Sequence, residues 1–354
     1  MKIVLVDAAL DGHHARYIRG ICNSKNIDFV LIAPDGDCDL PAGVPVYRYN
    51  FNAKKLDFFK YFKWLRFIKK IEKKERADAV HFLDGDTVMK FMALGLKRFR
   101  KNLFVTYHNF YRGFLRKICY KRTARLSRAI VVHTDTVKRL LNEQKITNAV
   151  KNDYPAFDGE TAKTLPVKEC KAAFGLPGDK KIVGFVGGIS AYKGFDLFLD
   201  CLRQYCDGVC FFVAGRATDY TKEFLAQVAR DNAGKIVIGE GWLSNEDYCK
   251  ALAAIDILLL PYDDNFYGAS GPLADGAYCE KRIVTTKGGG IADIVEENHL
   301  GTVLKERSAE CLLKAIKEEF VYDETAKAYA ETVSAEAFVD RYERIYNGEN
   351  GTEL

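Results

Sequence analysis

Two consecutive α/β domains, each a doubly wound parallel sheet, are what this chain predicts, and three observations carry the prediction. Short apolar, β-rich runs alternate with helical stretches along most of the length, the alternation restarts after a polar stretch near 158–168, and glycine-bearing loops follow the strands that open each half. Strands that alternate with helices are joined by crossovers, which favours parallel sheets covered on both faces. The length agrees: 354 residues, 48% hydrophobic and 29% charged, can fill more than one core.

In chain order, KIVLVDAALDGHHARYIRGICN runs from a strand at 2–6 through a loop with Asp11 and Gly12 into a helix, and 29–33 reads as the next strand. Further strand-like runs at 79–83, 103–107 and 129–133 complete a first domain over residues 1–160. The second alternation opens at KIVGFVGGISAYKGFDLFLDCL and continues with strands at 210–214, 236–238, 257–261 and 282–285, a domain over 161–334. The last segment, SAEAFVDRYERIYNG, places Ala337, Phe338, Tyr342 and Tyr346 at helical spacing. This closing helix, within 335–354, is expected to pack back on the first domain.

Bulk properties exclude several classes. No uncharged apolar run reaches the roughly 18 residues of a membrane span, and the chain enters a strand at once without the regions of a signal peptide, so a cytoplasmic location is expected. The closest of the ten cysteines, Cys201, Cys206 and Cys210, match neither zinc nor CxxC spacing and read as reduced, mostly buried thiols. The net charge of +5 hides an asymmetry: residues 1–160 carry 31 Lys+Arg against 17 Asp+Glu, the remainder 22 against 31. The first half should meet something anionic, such as a membrane surface or a phosphate-bearing acceptor. Nucleic acid would also suit the charge, but no DNA- or RNA-reading module is visible and it is not expected as a partner.

The chemistry concentrates in the second half. In VGFVGGISAYKGFD a strand ends on Gly187 and Gly188, and Lys193-Gly194 fall where the next helix begins. Glycines permit close backbone approach, a helix start offers amides, and the lysine adds a full charge, together suited to a diphosphate. The spacing is neither a P-loop nor GxGxxG. In NFYGASGPLADGAYCEKRIVTTKGGGIADIVEE, Ser270-Gly271 open a second anion-ready helix, with Asp275 one turn inside, where a carboxylate could accept from ribose hydroxyls.

These segments resemble the retaining GT-B glycosyltransferases, the group 1 type that includes sucrose synthase and many bacterial polysaccharide enzymes. The glycine and lysine-glycine pattern of that family is met by Gly187, Lys193 and Gly194, and its glutamate-x7-glutamate pattern falls on Tyr267 to Asp275. GWLSNEDYCKALAAIDILLLPY and GGGIADIVEENHLGTVL resemble the linking segments, so the similarity spans most of 180–305. It implies a GT-B fold, two Rossmann-like domains facing a central cleft, and transfer of a sugar from a UDP- or GDP-linked donor to a glycan or lipid-linked acceptor with retention of configuration. No metal or further cofactor is implied. The nucleoside is expected near Arg216 and Gly241-Trp242-Leu243, with Trp242 in core packing and Arg216 either a ligand or a solvated loop residue.

Two departures stand out. Gly188 replaces the usual arginine, and Tyr267 replaces the first glutamate, with Asp275 shortening the second. The diphosphate then depends more on Lys193 and backbone amides, and recognition of the donor sugar must differ. In the first domain the resemblance points to Gly12 and His13 in the loop after the first strand, and to His108 after LFVTY, as acceptor-side residues. Lys193, His108 and Asp275 are the expected catalytic set. The Asp84-Gly85-Asp86 triplet is expected to shape a loop.

Two basic regions remain. FNAKKLDFFKYFKWLRFIKKIEKKER sets Phe58, Phe62 and Leu65 on one stripe flanked by Trp64 and Phe67, and residues 87–134 contain no acidic side chain. Residues 54–76 and 97–128 could dock on an anionic membrane, or the stripe could pack on the sheet with its lysines solvated. Besides an active transferase at the inner face of the membrane, the same architecture would serve a nucleotide-sugar epimerase or a catalytically weak glycan- or partner-binding homologue.

Overall fold

Seven parallel strands build the first unit of the chain in a computed structural model, which describes residues 1–10, 13–36, 43–52, 55–100, 102–204 and 207–349. They are β1 (Lys2–Val6), β2 (Asp28–Ala33), β3 (Val46–Arg48), β4 (Ala79–Phe82), β5 (Leu103–Thr106), β6 (Ala129–Val132) and β7 (Ala149–Lys151). Their spatial order is β3-β2-β1-β4-β5-β6-β7. The second unit holds β8 (Lys181–Val186), β9 (Val209–Gly215), β10 (Ile236–Glu240), β11 (Ile257–Leu260), β12 (Arg282–Thr286) and β13 (Gly301–Leu304), in the order β10-β9-β8-β11-β12-β13. Both are parallel throughout, and both reverse direction of winding beside their first strand, between β1 and β4 and between β8 and β11. Such reversal points leave a crevice at the carboxyl ends of the strands, where α/β folds take ligands.

Period-two burial explains why each sheet forms. In unit 2, Ile182, Cys210, Phe212, Leu258 and Ile283 point to one apolar layer, while Val183, Phe211, Val213, Leu259 and Val284 point to the other. A strand buried on both faces must be apolar at every position, which is why these runs do not alternate with polar residues. The edge strands β3, β7 and β13 escape sequence patterning because three or four residues are too few to define a period.

Unit 1 comprises Met1–Asp153, Tyr267–Ala269 and Ala335–Leu354; unit 2 comprises Tyr154–Phe266 and Ser270–Ser334. The division thus falls at Asp153–Tyr154 rather than at 160. Residues 154–160 go with unit 2 because the amides of Asp158 and Gly159 are bound by its Asp275. The helix Ala335–Asn347 counts with unit 1 and buries Phe338, Tyr342, Ile345 and Tyr346.

One face of the first sheet is oily, covered by the helices Phe58–Glu75 and Phe114–Leu126. The other carries a buried polar chain. His81 Nδ1 lies 2.6 Å from the Tyr346 hydroxyl, and its Nε2 2.8 Å from Thr106 Oγ1. Thr106 Oγ1 is 3.1 Å from the Tyr342 hydroxyl, which lies 2.5 Å from that of Tyr17. Hydroxyls act as donor or acceptor as needed, so a neutral His81 is satisfied on both nitrogens.

Burial, and then the charge of His133, holds His81 down at about 3; burial holds His133 at about 4 despite the Asn152 carbonyl beside it. In the unfolded chain both imidazoles titrate near 6.5. The unfolded state therefore binds protons first as pH falls, and the stability present above about pH 6.5 is lost progressively toward pH 4 and below. Urea unfolding followed from pH 7.5 to 4.5 should show this decline, and His81→Gln should flatten it; an unchanged slope would remove His81 as a contributor.

Candidate functional site

At the end of β8 the chain turns through Gly187 and Gly188 into a 3-10 turn, Ala191–Lys193, and then the helix Phe195–Arg203. Gly194 joins the last two with φ +80°, and a Cβ on it would lie 1.8 Å from the Pro261 carbonyl oxygen. Only glycine lets the loop after β8 close on the end of β11. The closure places the Lys193 ammonium 5.6 Å over the Tyr262 ring and 3.6 Å from the point where a Gly188 side chain would begin. An arginine at 188 would thus crowd the ammonium directly. Ser190, in the same loop, is buried, and its hydroxyl finds no hydrogen-bond partner among the described residues. It is a donor the sequence motif did not single out, since serine in a glycine-rich turn reads as turn chemistry.

The helix Gly271–Tyr278 starts beside this loop. Ser270 caps it, accepting from the Leu273 amide at 3.3 Å, and Tyr262 places its hydroxyl 3.4 Å from the Ser270 oxygen. Pro272 lies 3.5 Å from the position a Gly187 side chain would take. Gly187, Gly188, Lys193, Ser270 and Gly271 therefore converge at the carboxyl ends of β8 and β11. Two helix starts and one ammonium are thus brought together within unit 2, an arrangement whose chemistry suits an anion.

Arg216 follows β9 and Trp242 follows β10, side by side because Glu240 pairs with Gly215 and the Gly241 amide donates to the Gly215 carbonyl at 3.0 Å. Arg216 is exposed. Trp242 is 70% exposed, which corrects the expectation that it packs in the core. It follows β10, the edge strand of the sheet, where the next layer does not reach. Leu243 is the half-buried partner against the apolar core.

Asp275 is placed differently from the ribose-facing role expected of it. It is buried, its Oδ1 accepts from the amides of Asp158 and Gly159 at 3.0 Å each, and its Oδ2 accepts from the Tyr248 hydroxyl at 3.0 Å. These contacts fix the start of the helix Gly159–Thr164.

On unit 1, Gly12 lies outside the described residues, and His13 opens the helix His13–Cys22. His108 follows β5, half-buried, with Nε2 donating to the Leu83 carbonyl at 2.9 Å and Nδ1 lying 3.2 Å from His133 Nε2. His133 in turn donates through Nδ1 to the Asn152 carbonyl at 2.7 Å. Both nitrogens of His108 thus meet protein atoms. His14 Nδ1 lies 3.0 Å from Asp7, whose carboxyl is raised by burial and lowered in part by His14. Asp84 caps the helix Gly85–Lys90, accepting from the Thr87 amide at 3.1 Å. Asp86 is pushed up to about 6 by burial and then by Asp84.

Tyr267 sits with unit 1. It packs against that unit's apolar core, and Arg112 donates to its hydroxyl at 2.9 Å. Among the described residues no group of three or more His, Cys, Asp or Glu could hold a metal ion. Cys201 and Cys210 are buried, and Cys206 lies outside the described residues.

Residues 14–150 match the family described as Glycosyltransferase Family 4, and residues 180–319 match Glycosyl transferases group 1. These two spans, 137 and 140 residues long and without overlap, cover well over half of the 354. The chain belongs to these glycosyltransferases, enzymes that transfer sugars. No curated protein is detectably similar in sequence.

Among solved structures, a glycosyltransferase from Rickettsia africae ESF-5 is similar with a TM-score of 0.75 at 18% identity, over 99% of each chain. Sucrose-phosphate synthase from Thermosynechococcus elongatus is similar at 0.77 and 14%, over 98% of each. HepE of Anabaena, in complex with UDP, is similar at 0.71 and 14%, over 98% of this chain and 100% of that one. These likenesses show the fold, two Rossmann-like domains of the GT-B type.

Asp275→Ala should remove the buried acceptor of two amides and a phenol and cost about 2–4 kcal/mol of stability. Urea denaturation would register this as a lower midpoint, with Asp275→Asn milder because one acceptor oxygen survives. An unchanged midpoint for the alanine variant would show that the carboxylate is not a structural staple.

Proposed function

We propose that the protein transfers a sugar from a UDP- or GDP-linked donor to a glycan or lipid-linked acceptor, with retention of anomeric configuration and without a metal ion, in the synthesis of a surface glycan. The observation that carries this is the convergence of Lys193 with two helix starts at the carboxyl ends of β8 and β11. A leaving diphosphate develops negative charge as its bond to the sugar breaks, and fixed amides and an ammonium stabilise that charge without reorganising. The acceptor hydroxyl attacks the anomeric carbon from the face the diphosphate leaves. The bond to the phosphate oxygen breaks with its electron pair going to the diphosphate, and a phosphate oxygen takes the hydroxyl proton. The exposed Arg216 and Trp242, which follow β9 and β10, support a nucleoside extending from such a diphosphate along those strands. A UDP-linked donor is supported by the fold's likeness to HepE, which is known in complex with UDP and with UDP-glucose.

Lys193→Ala should abolish nucleotide release from the productive donor in a panel of UDP- and GDP-sugars while the thermal midpoint stays within a degree or two. Retention of most turnover would refute the role given to the ammonium.

The acceptor side is proposed to work at an anionic membrane. The helix Phe58–Glu75 buries Tyr61, Trp64, Leu65, Ile68 and Ile71; of the stripe Phe58, Phe62 and Leu65, only Leu65 is buried, Phe62 packs half-buried against the core and Phe58 is exposed. Its first turn and the helix Phe114–Leu126 keep apolar residues in solvent: Phe59 is 67%, Phe114 77% and Leu115 62% exposed. Arg116, Lys117, Lys121, Arg122 and Arg125 share the second helix with no acidic residue. Exposed aromatics among cations suit the interface of an anionic bilayer, where each cation near the surface contributes on the order of 1 kcal/mol. Cosedimentation with phosphatidylglycerol vesicles should weaken as salt rises and fall further in a Phe114→Ser, Leu115→Ser variant. Equal binding to neutral vesicles, or none to either, would remove the membrane from the proposal.

A further inference from the structure

Three contacts join two imidazoles and two backbone carbonyls at the carboxyl ends of the first sheet. His108 Nε2 lies 2.9 Å from the Leu83 carbonyl, His133 Nδ1 lies 2.7 Å from the Asn152 carbonyl, and His108 Nδ1 faces His133 Nε2 at 3.2 Å. A carbonyl oxygen only accepts, so each outer nitrogen must carry a hydrogen. A neutral imidazole has a single N–H, and both are then spent. The inner nitrogens are left as two lone pairs pointing at each other. Three hydrogen bonds need three protons, and two neutral rings bring two.

No tautomer repairs the deficit. Moving the His108 hydrogen to Nδ1 sets a lone pair against the Leu83 carbonyl. Moving the His133 hydrogen to Nε2 does the same at the Asn152 carbonyl, the shortest of the three contacts. The Tyr17 hydroxyl lies 3.4 Å from His133 Nε2 but 2.5 Å from the Tyr342 hydroxyl, so a closer acceptor takes its hydrogen. One added proton, in contrast, satisfies all three contacts. His108 is the ring to take it. Burial penalises the charge of His133, whereas His108 is half-buried and its cation meets an acceptor at each nitrogen.

The surroundings belong to unit 1 alone. From the helix His13–Cys22, Tyr17 and His14 face His108 with ring centres 5.0 and 6.3 Å away. His14 opposes a second cation only when it is itself charged, and its Nδ1 is turned to Asp7, 3.0 Å distant at the end of β1. Asp7 and Asp84, which follows β4, have the sign that favours an imidazolium nearby. Because His108 follows β5, Leu83 follows β4 and His14 follows β1, the pair stands at the reversal point of its sheet, where α/β folds take ligands.

We propose that His133 is a positioning residue for His108: by accepting at Nε2 it holds His108 as an imidazolium at neutral pH, and loss of that proton as pH rises frees one anchor of the ring. The exchange is a single proton passed to solvent, leaving a lone pair on His108 Nδ1. The strand ends of unit 1 thereby carry a positive charge on a side chain that is formally neutral at pH 7. The transfer activity proposed above then has an alkaline limb set by this pair, a consequence that rests on that reading.

The test labels the full-length protein with nitrogen-15 and follows the histidine ring nitrogens by long-range proton–nitrogen spectra across the pH range. At pH 7.5 both nitrogens of His108 should be protonated, while His133 should show the neutral form with its hydrogen on Nδ1. A free imidazole, with its midpoint near 6.5, is only about one-tenth protonated at that pH. His133→Gln, whose amide offers acceptor or donor alike, should bring His108 down to about that fraction. His133→Leu, which offers neither, should do the same, and His133→Glu, which only accepts, should keep His108 charged. Should the leucine variant fail to fold, the glutamine variant decides. In transfer assays, kcat/KM should fall at alkaline pH, and His133→Gln should move the midpoint of that fall down by the same interval as the ring titration. A loss of packing would instead lower activity equally at every pH. A His108 with one protonated nitrogen at pH 7.5, or a titration unmoved by His133→Gln, would overturn the proposal. A limb that stays in place while the ring titration moves would overturn the positioning role. Absence of transfer with every donor would remove the transferase reading, and the ring spectra would still decide the pair.

Discussion

The approach of Gly194 to the Pro261 carbonyl sets where the chemistry of unit 2 can happen. No Cβ fits in that gap, so the loop after β8 is pulled onto the end of β11, and everything the loop carries is placed by that one contact. Lys193 precedes the glycine directly, and its ammonium comes to rest over Tyr262, whose hydroxyl also approaches the cap residue Ser270. A strand end, a helix start and a cation thus become neighbours through backbone proximity. Side-chain hydrogen bonds refine the arrangement, but the steric condition at position 194 comes first.

Unit 1 is organised on the opposite principle. Its first sheet is oily on one face, but the other holds the chain of hydroxyls and imidazoles that includes Tyr17, His81, Thr106, Tyr342 and Tyr346. Buried polar groups are tolerated when each is matched, and such a chain specifies one seating for the closing helix where an oily face would accept several. That His81 stays neutral follows from the same burial, which penalises its charged form. The carboxyl ends of the strands continue the pattern, with His108 and His133 each donating to a backbone carbonyl.

The two departures from the family pattern have different physical standing. Gly188 leaves room that the Lys193 ammonium overlooks, so the loss of a cation is accompanied by freedom for the remaining one. Tyr267 is a reversal of local charge, since it brings Arg112 to a place associated with a carboxylate. Asp275, shortened by one methylene from the family's glutamate, engages amides within its own unit.

What the amino-acid sequence determined by itself was set by periodicity and local chemistry. The two sheets, their crossovers, the glycine turns and the amphipathic closing helix are legible because a doubly buried strand must be apolar at each position and a helix must repeat near 3.6 residues. The convergence of Gly187, Lys193 and Ser270 was legible as two separate motifs, each with a helix start. Only the tertiary structure decided which side chains those motifs face. Trp242 is exposed because β10 is an edge, Asp275 turns inward because two amides 116 and 117 residues away need an acceptor, and Arg112 meets Tyr267 across 155 residues of chain. Contacts between residues so far apart leave no periodic or spacing signal in a single sequence, because they are settled by packing, which depends on all the elements at once.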